Sequence, residues 1–193
     1  MVPPQARRGP SSSARAPQSS AIARAPSSAR PLVVVDGPNA AIKHGQRAKF
    51  SSRGIQLVLE YWQQRGHRAL AFVPEHHLNF ERVGSSKRAA ALGLADAKHV
   101  ADDVPLLRAL EKKGEVVVTP SQDYDDAYCI AYARAHPPAC IVTNDMYRDY
   151  VESEGSRGRS KKEAEEWRRH HLISFTFLVD EFLPNPEFVF PAV

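Results

Sequence analysis

Acidic residues follow three of the apolar segments that have the composition of β-strands. With the residues after them, these segments read "LVVVDGPN", "VVVTPSQDYDD" and "CIVTNDMYRD". The polar residues after them that could do chemistry are Asp36, Asn39, Asp125, Asp126, Asp145 and Asp149. Sites in open parallel sheets lie just beyond the carboxyl ends of the strands, so these side chains are expected to converge on one edge.

Converging carboxylates repel one another and lose hydration, so a cation is expected among them. Oxygen ligands without Cys or His favour Mg²⁺, or Mn²⁺, over zinc. Asp125 and Asp126 lie about 100° apart on a helix, so only one is expected to reach the cation. If residues 146–151 are helical, Asp145 and Asp149 share a helix face. A carboxylate-bound Mg²⁺ can activate water beside a phosphoryl group, which favours phosphodiester hydrolysis.

Each acid taken alone also has a structural explanation. Asp125 and Asp126 suit a helix N-terminus because of the helix dipole, and Asp145 could cap the next helix. The set is harder to explain in this way, because three strand ends carry acids together.

The elements that position these residues alternate between strand and helix, which predicts an α/β fold of three layers around a central parallel sheet. The predicted strands are Leu32–Val35, Ala69–Val73, Val116–Thr119, Cys140–Thr143 and Leu172–Leu178. The predicted helices run from Ser51 or Ser52 to Gly66, from Asp103 to Gly114, over Tyr124–His136, around Met146–Val151 and from Ser160 to Arg169.

The composition separates a tail from a domain. Of the 193 residues, 1–31 hold five arginines and no acid, while the rest carry 21 basic and 22 acidic side chains. We predict a disordered Arg/Ser/Pro/Ala-rich tail over 1–31, a nuclease-like domain over 32–184 and a C-terminal tail over 185–193. Any nucleic-acid contact of the domain must therefore be a local patch.

Localisation is less constrained. Two cysteines cannot form a disulfide framework, so buried thiols in a reducing compartment, cytoplasmic or nuclear, are expected. An acid-free tail with arginine and serine also has the composition of a mitochondrial transit peptide, an alternative that the sequence leaves open. No apolar run is long enough to cross a bilayer, so no membrane partner is expected. Whether the chain forms a homo-oligomer stays open.

With these residues assembled, the chain resembles NYN-type, PIN-like ribonuclease domains, and most of all the Regnase family of CCCH zinc-finger-associated endoribonucleases. The matching segments include "VVVDGPNAAIKHG", "FSSRGIQLVLEYWQQRGH", "YDDAYCIAYA", "TNDMYRD" and "ISFTFLVDEFLP", in order over about residues 33–183. Pro38 stands where Regnase-like members carry Ser. No CCCH finger is present, so a contribution of such a finger to target choice is not expected.

The resemblance implies a PIN-like fold and Mg²⁺-dependent endonucleolytic cleavage of single-stranded or stem-loop RNA. It assigns Asp36, Asp126 and Asp145 as metal ligands with Asn39 in the same site, and Asp125 and Asp149 beside them. It also implies a phosphate contact at Arg53. His44 matches the motif as well, and we expect it to be an RNA contact. We add Lys43 and Arg148 as RNA contacts because they flank the acidic edge.

Two other functions fit parts of the pattern. A catalytically silent PIN-like module would bind RNA or a protein partner, and the loss of a key acid would favour it; none is lost. A phosphohydrolase with an aspartyl nucleophile would want a second acid two residues after Asp36, where the chain has Pro38.

Overall fold

The computed structural model of the protein describes residues 30–78, 100–121, 125–156 and 160–191. The strands of its main sheet are β1 Leu32–Asp36, β2 Ala69–Pro74, β3 Val116–Thr119, β4 Ala139–Val142 and β5 Leu172–Ile173. These five strands are parallel and lie in the order β3-β2-β1-β4-β5, which confirms the predicted fold class. A separate antiparallel pair comes next along the chain, β6 Phe175–Leu178 and β7 Glu181–Pro184.

Helices connect the strands and cover the sheet. They are α1 Gly37–His44, α2 Ser52–Gln64, α3 Val104–Lys112, α4 Asp125–Ala135, α5 Arg148–Ser156 and α6 Lys161–His171, with a 3₁₀ turn at Glu75–Leu78. The helix α1 was not predicted. Its first turn contains Gly and Pro, which suggested only a turn, although Pro is well suited to the first turn of a helix.

The central strands are buried on both faces. On β1, Val33 and Val35 pack with α1, α2 and α3 in one core, while Leu32 and Val34 pack with α4 in another. Side chains of a strand alternate between faces, so a run without polar residues is required when helices cover both sides. This accounts for the β-branched sequence that ends at Asp36.

The expected single strand Leu172–Leu178 is wrong, because the chain changes sheets at Ser174. Leu172–Ile173 pairs with β4, and Phe175–Leu178 pairs with β7 instead. The side chain of Asn144 explains the break: its Nδ2 donates to the carbonyl oxygen of Phe175 and its Oδ1 accepts from the Phe175 N–H, both at 3.0 Å. A side chain thus satisfies the backbone groups that a sheet neighbour would otherwise bind.

The position of β3 also differs from the expectation that all three acid-bearing strands are central. β3 lies at the edge of the sheet, and β2, which carries no such acid, separates it from β1. β1 and β4 are direct neighbours, and the strand order reverses between them. Ligands of open α/β sheets bind at such a switch point, so a site is expected at the ends of β1 and β4.

The start of α2 is capped from a distance. Ser51 or Ser52 was expected to cap it, and Ser51 does occupy the N-cap position, but its side chain makes no capping hydrogen bond. Instead, the Asp102 carboxylate accepts the Ser52 N–H at 2.8 Å and pairs with Lys49 at 2.9 Å. Burial alone raises the pKa of Asp102, but the Ser52 N–H bond and Lys49 outweigh it, so the pKa of this carboxyl lies below its usual value.

Both cysteines are buried, as expected, and burial raises the pKa of the Cys140 thiol to about 12. At the C-terminal end, Phe188 and Phe190 pack against the core that includes Trp62. The expectation for the N-terminal tail falls outside the described residues except at Arg30 and Pro31. Within the described ranges, no helix is long and apolar enough to cross a membrane.

Candidate active site

Asp36 ends β1 and caps α1. It is buried, and its Oδ1 accepts the backbone N–H of Asn39 at 3.1 Å. The sharp passage from strand to helix requires Gly37, because a methyl group there would overlap the carbonyl oxygen of Phe72 on β2. The Asp-Gly-Pro-Asn sequence thus fixes a carboxylate at the end of a buried strand.

Thr143 links Asp36 to Asp145. The pairing of Val35 with Val142 brings Thr143, the next residue after β4, beside Asp36. Its hydroxyl donates to Oδ2 of Asp36 at 2.8 Å and accepts the N–H of Asp145 at 3.0 Å. The Tyr147 hydroxyl lies 3.5 Å from the same Asp36 oxygen. The two strand-end acids therefore belong to one hydrogen-bonded network.

Asn39 joins this network from α1. Its Oδ1 accepts the backbone N–H of Asn144 at 3.0 Å. Since the Asn144 side chain holds Phe175 on β6, three elements converge here: α1, the segment after β4, and β6. Asp36, Asn39 and Asp145 are thus brought together as predicted.

Asp145 precedes α5 and is exposed. Its Oδ1 accepts the Tyr147 N–H at 2.7 Å, a local turn that Asp residues favour. Tyr147 has a φ of 43°, so the helix begins only at Arg148. The expected helix from about Met146 is therefore wrong at its start, and so is the common helix face for Asp145 and Asp149. Arg148 and Asp149 lie in the first turn of α5.

Asp125 and Asp126 are the first two residues of α4, which packs against β1, β2 and β4. Their side chains lie outside the described part of the structure, so their place in the site stays a prediction. Among the side chains that are described, no three His, Cys, Asp or Glu residues form a group able to hold a metal. Asp36 and Asp145 are the strand-end carboxylates that the described part of the structure brings together at the switch point.

The predicted RNA contacts Arg53 and His44 lie together in a cluster around Asp180, in the β6–β7 turn. Arg53 Nε is 3.7 Å from an Asp180 oxygen, and its Nη1 is 3.7 Å from Glu60. The His44 ring binds Ser51 through Nδ1 at 2.8 Å and Asp180 through Nε2 at 3.1 Å. Both predicted contacts are thus engaged by acids or hydroxyls of the protein itself.

Lys43 and Arg47, in contrast, line a cavity next to Asn39 and Asn144. Neither cation has a hydrogen bond or ion pair within the described ranges. Arg47 was not predicted; it lies just after the C-terminus of α1 in a turn with a φ of 60°.

Three further residues of the network were also missed: Thr143, Asn144 and Tyr147. The available signal was the polar stretch "TND" directly after a buried strand. Of this stretch only the aspartate was predicted to belong to the site, because hydroxyl and amide side chains are common in any turn.

The comparisons with known proteins agree with this fold. The family model described as the Zc3h12a-like ribonuclease NYN domain matches residues 29–189. The endoribonuclease rege-1 of Caenorhabditis elegans is 30% identical over an alignment of 164 residues, and the match covers 79% of this chain and 22% of rege-1. This chain therefore spans about a fifth of that relative's length.

Two structures of nuclear protein-only RNase P 2 from Arabidopsis thaliana are similar in fold. Their TM-scores are 0.53 and 0.55, with 19% and 21% identity. The matches cover 81% and 83% of this chain, and 30% and 31% of the Arabidopsis chains. At this identity the likeness concerns the fold alone.

Proposed function

Because this chain belongs to the family of Zc3h12a-like ribonuclease NYN domains, we propose that it is an endoribonuclease that hydrolyses RNA phosphodiester bonds with a metal-activated water. The observation that carries the proposal is the network at the switch point of the sheet. There, Thr143 joins the Asp36 carboxylate to the backbone of Asp145 across neighbouring strands.

The donor set of this network fits Mg²⁺. Asp36 and Asp145 offer hard carboxylate oxygens, and Mg²⁺ is commonly held by one or two carboxylates while it keeps several waters. Oδ2 of Asp145 has no hydrogen bond or ion pair within the described residues. We propose Asp36, Asp145 and Asp126 as ligands of Mg²⁺, or Mn²⁺, with Asp125 and Asp149 nearby.

The bound ion would supply an activated water and polarise a phosphoryl oxygen. The protein supplies fixed positions for the groups around it. Asp36 is immobilised by the Asn39 N–H and the Thr143 hydroxyl, so its charge need not reorganise during the reaction. Asp145 is exposed and can face an RNA strand that lies along this edge.

Asn39 has a role of its own in this proposal. Its Oδ1 is occupied by the Asn144 N–H, which orients the amide and leaves Nδ2 without a partner among the described residues. A neutral N–H donor beside two carboxylates can bind a non-bridging phosphate oxygen without competing for the metal. Lys43 would hold a flanking phosphate, with Arg148, Arg53 and His44 as further contacts.

The substrate class that we propose is single-stranded or stem-loop RNA. The alternative is a catalytically silent PIN-like module, which would bind such RNA without cutting it. The test is incubation of an internally labelled RNA hairpin with the protein and Mg²⁺, with chelator, and with Mg²⁺ restored. Internal fragments that disappear with chelator and return with the metal support the proposal, whereas binding without fragments would favour the silent module.

A further inference from the structure

A cavity of about 380 Å³ lies beside the acidic network, between α1, the turn after α1, Asn144 after β4, and Phe175 at the start of β6. Its volume falls within the range of small-molecule sites, about 300–1,000 Å³. The proposed hydrolysis places Asn39 and Lys43 at phosphates of the RNA, and it leaves Arg47 and the apolar part of this lining without a role.

Part of the cavity lining is apolar. Pro38, Ile42 and Phe175 contribute to it, and Phe175 is 6% exposed and fixed through its backbone by Asn144. A phosphate or a sugar gains little from such a surface. A planar, partly apolar group gains more, since apolar contact with these side chains favours it.

The polar groups that remain available in the cavity are hydrogen-bond donors. Asn39 offers only its Nδ2, because Oδ1 is occupied, and both amide atoms of Asn144 are bound to Phe175. Lys43 and Arg47 can only donate. By comparison, Lys49 is paired with Asp102 and Arg53 with Asp180. The ligand must therefore present acceptors.

The ligand is therefore a planar ring with hydrogen-bond acceptors, and it lies next to the reacting phosphate. A nucleotide has both of these parts. We infer that this cavity binds the base of one unpaired nucleotide next to the scissile phosphate, and that it favours uracil and guanine over adenine. Uracil presents carbonyl oxygens, and the N7/O6 edge of guanine presents two acceptors, whereas the corresponding edge of adenine places an amino donor beside its N7 acceptor. The inference rests on the proposed RNA cleavage for the position of that nucleotide along the strand.

Binding can be measured without cleavage. The metal-free protein is titrated with uridine, guanosine and adenosine 5′-monophosphates and with ribose 5-phosphate. The comparison separates the contribution of the base to the affinity from that of the phosphate. Uridine and guanosine monophosphate should bind about tenfold more tightly than ribose 5-phosphate, because a base contact is lost in the latter. Adenosine monophosphate should bind more weakly than either.

Arg47→Ala should weaken binding of all the monophosphates and reduce the preference over adenosine monophosphate. Arg108→Ala is the matched control, because it removes the same charge from α3, where Arg108 pairs with Glu111. Equal binding of ribose 5-phosphate and uridine monophosphate would overturn the inference, since the cavity would then be a phosphate site only.

Cleavage gives the second measurement. A series of RNAs that each lack one base should show a single position, next to the cut, at which base loss lowers cleavage about tenfold. If no position responds, the inference is wrong even though the RNA is cut. If no RNA is cut but uridine monophosphate still binds with the expected preference, the proposed nuclease function fails and the base site stands.

Discussion

The Thr143 hydroxyl donates a 2.8 Å hydrogen bond to the Asp36 carboxylate from the neighbouring strand. Thr143 is 1% exposed and Asp36 8% exposed, so water cannot easily replace this bond. The same hydroxyl accepts the Asp145 N–H at 3.0 Å. One side chain thus determines the spacing of the two strand-end acids.

Thr143→Val should therefore lower both stability and activity. The buried carboxylate loses a donor, which costs about 1–3 kcal/mol of unfolding free energy. Cleavage should fall on the order of 10²-fold, because the acids lose their fixed spacing. Thr143→Ser keeps the hydroxyl and serves as the control. Denaturant unfolding and single-turnover cleavage measure the two effects; a Val variant that cuts RNA like the Ser variant would contradict this role.

Asp36→Asn and Asp145→Asn should each reduce cleavage on the order of 10³-fold, because an amide is a poor Mg²⁺ ligand and metal polarisation contributes several kcal/mol. Asp36→Asn should be the less stable of the two variants. It loses a charged acceptor for Thr143 and Asn39, whereas Asp145→Asn can keep the Oδ1 acceptor for the Tyr147 N–H.

The measurements for these two variants are cleavage rate, thermal melting and Mn²⁺ titration. Glu165→Gln, on the exposed side of α6, is the charge-matched control and should change none of them. Near-native turnover in either Asn variant would exclude that acid from the metal site.

The sequence predicted the parallel sheet and the acids at the carboxyl ends of β1 and β4, because β-branched runs and the residues after them are local signals. It did not predict which strands are neighbours. Strand order depends on helix packing over both faces, and this is why β3 could be taken as central. The break at Ser174 was missed for a similar reason, because it depends on Asn144, thirty residues away.

The charged contacts were the least predictable part of the site. Arg53 resembles a phosphate contact by its motif, but only the fold brings Asp180 to it through the β6–β7 turn. Arg47 carries no motif at all and becomes a candidate because the turn after α1 places it at the cavity.

Asp180→Asn should raise RNA affinity about two- to fivefold, the range expected when an exposed ion pair no longer occupies Arg53. Glu181→Gln removes the same charge from the next residue and controls for the change in the electrostatic field of the protein. The gain should vanish in the Arg53→Ala/Asp180→Asn double variant. Binding titrations over a series of salt concentrations test this, and an affinity that Asp180→Asn leaves unchanged would remove Asp180 as a competitor of RNA.

Asp102→Asn should destabilise the fold by about 1 kcal/mol at neutral pH, because the α2 cap and the Lys49 pair lose their charge. The folded-state pKa of Asp102 is lowered, so the ionised group stabilises the fold above its unfolded pKa of about 3.9. That contribution is lost as the pH falls through the folded pKa. Urea unfolding at several pH values should thus show the wild type and variant converging in acid; a constant difference would contradict the assignment.

The chemical ends of the products depend on which nucleophile attacks the phosphate. A ribonuclease that uses the 2′-hydroxyl of its substrate as nucleophile leaves a cyclic phosphate and needs a base and an acid, often two histidines. His44 on α1 has both ring nitrogens engaged, one by Ser51 and one by Asp180. The described polar network consists instead of carboxylates, amides and hydroxyls.

We therefore expect water to be the nucleophile and the products to carry a 5′-phosphate and a 3′-hydroxyl. A single 2′-deoxy substitution at the cut should leave the products unchanged and reduce the rate only as far as binding contacts are lost. Mass spectrometry of the fragments identifies the ends, and His44→Gln tests whether the ring takes part. A 2′,3′-cyclic phosphate that persists with chelator would exclude the carboxylate–metal mechanism, because it would require the 2′-hydroxyl and a base outside this network.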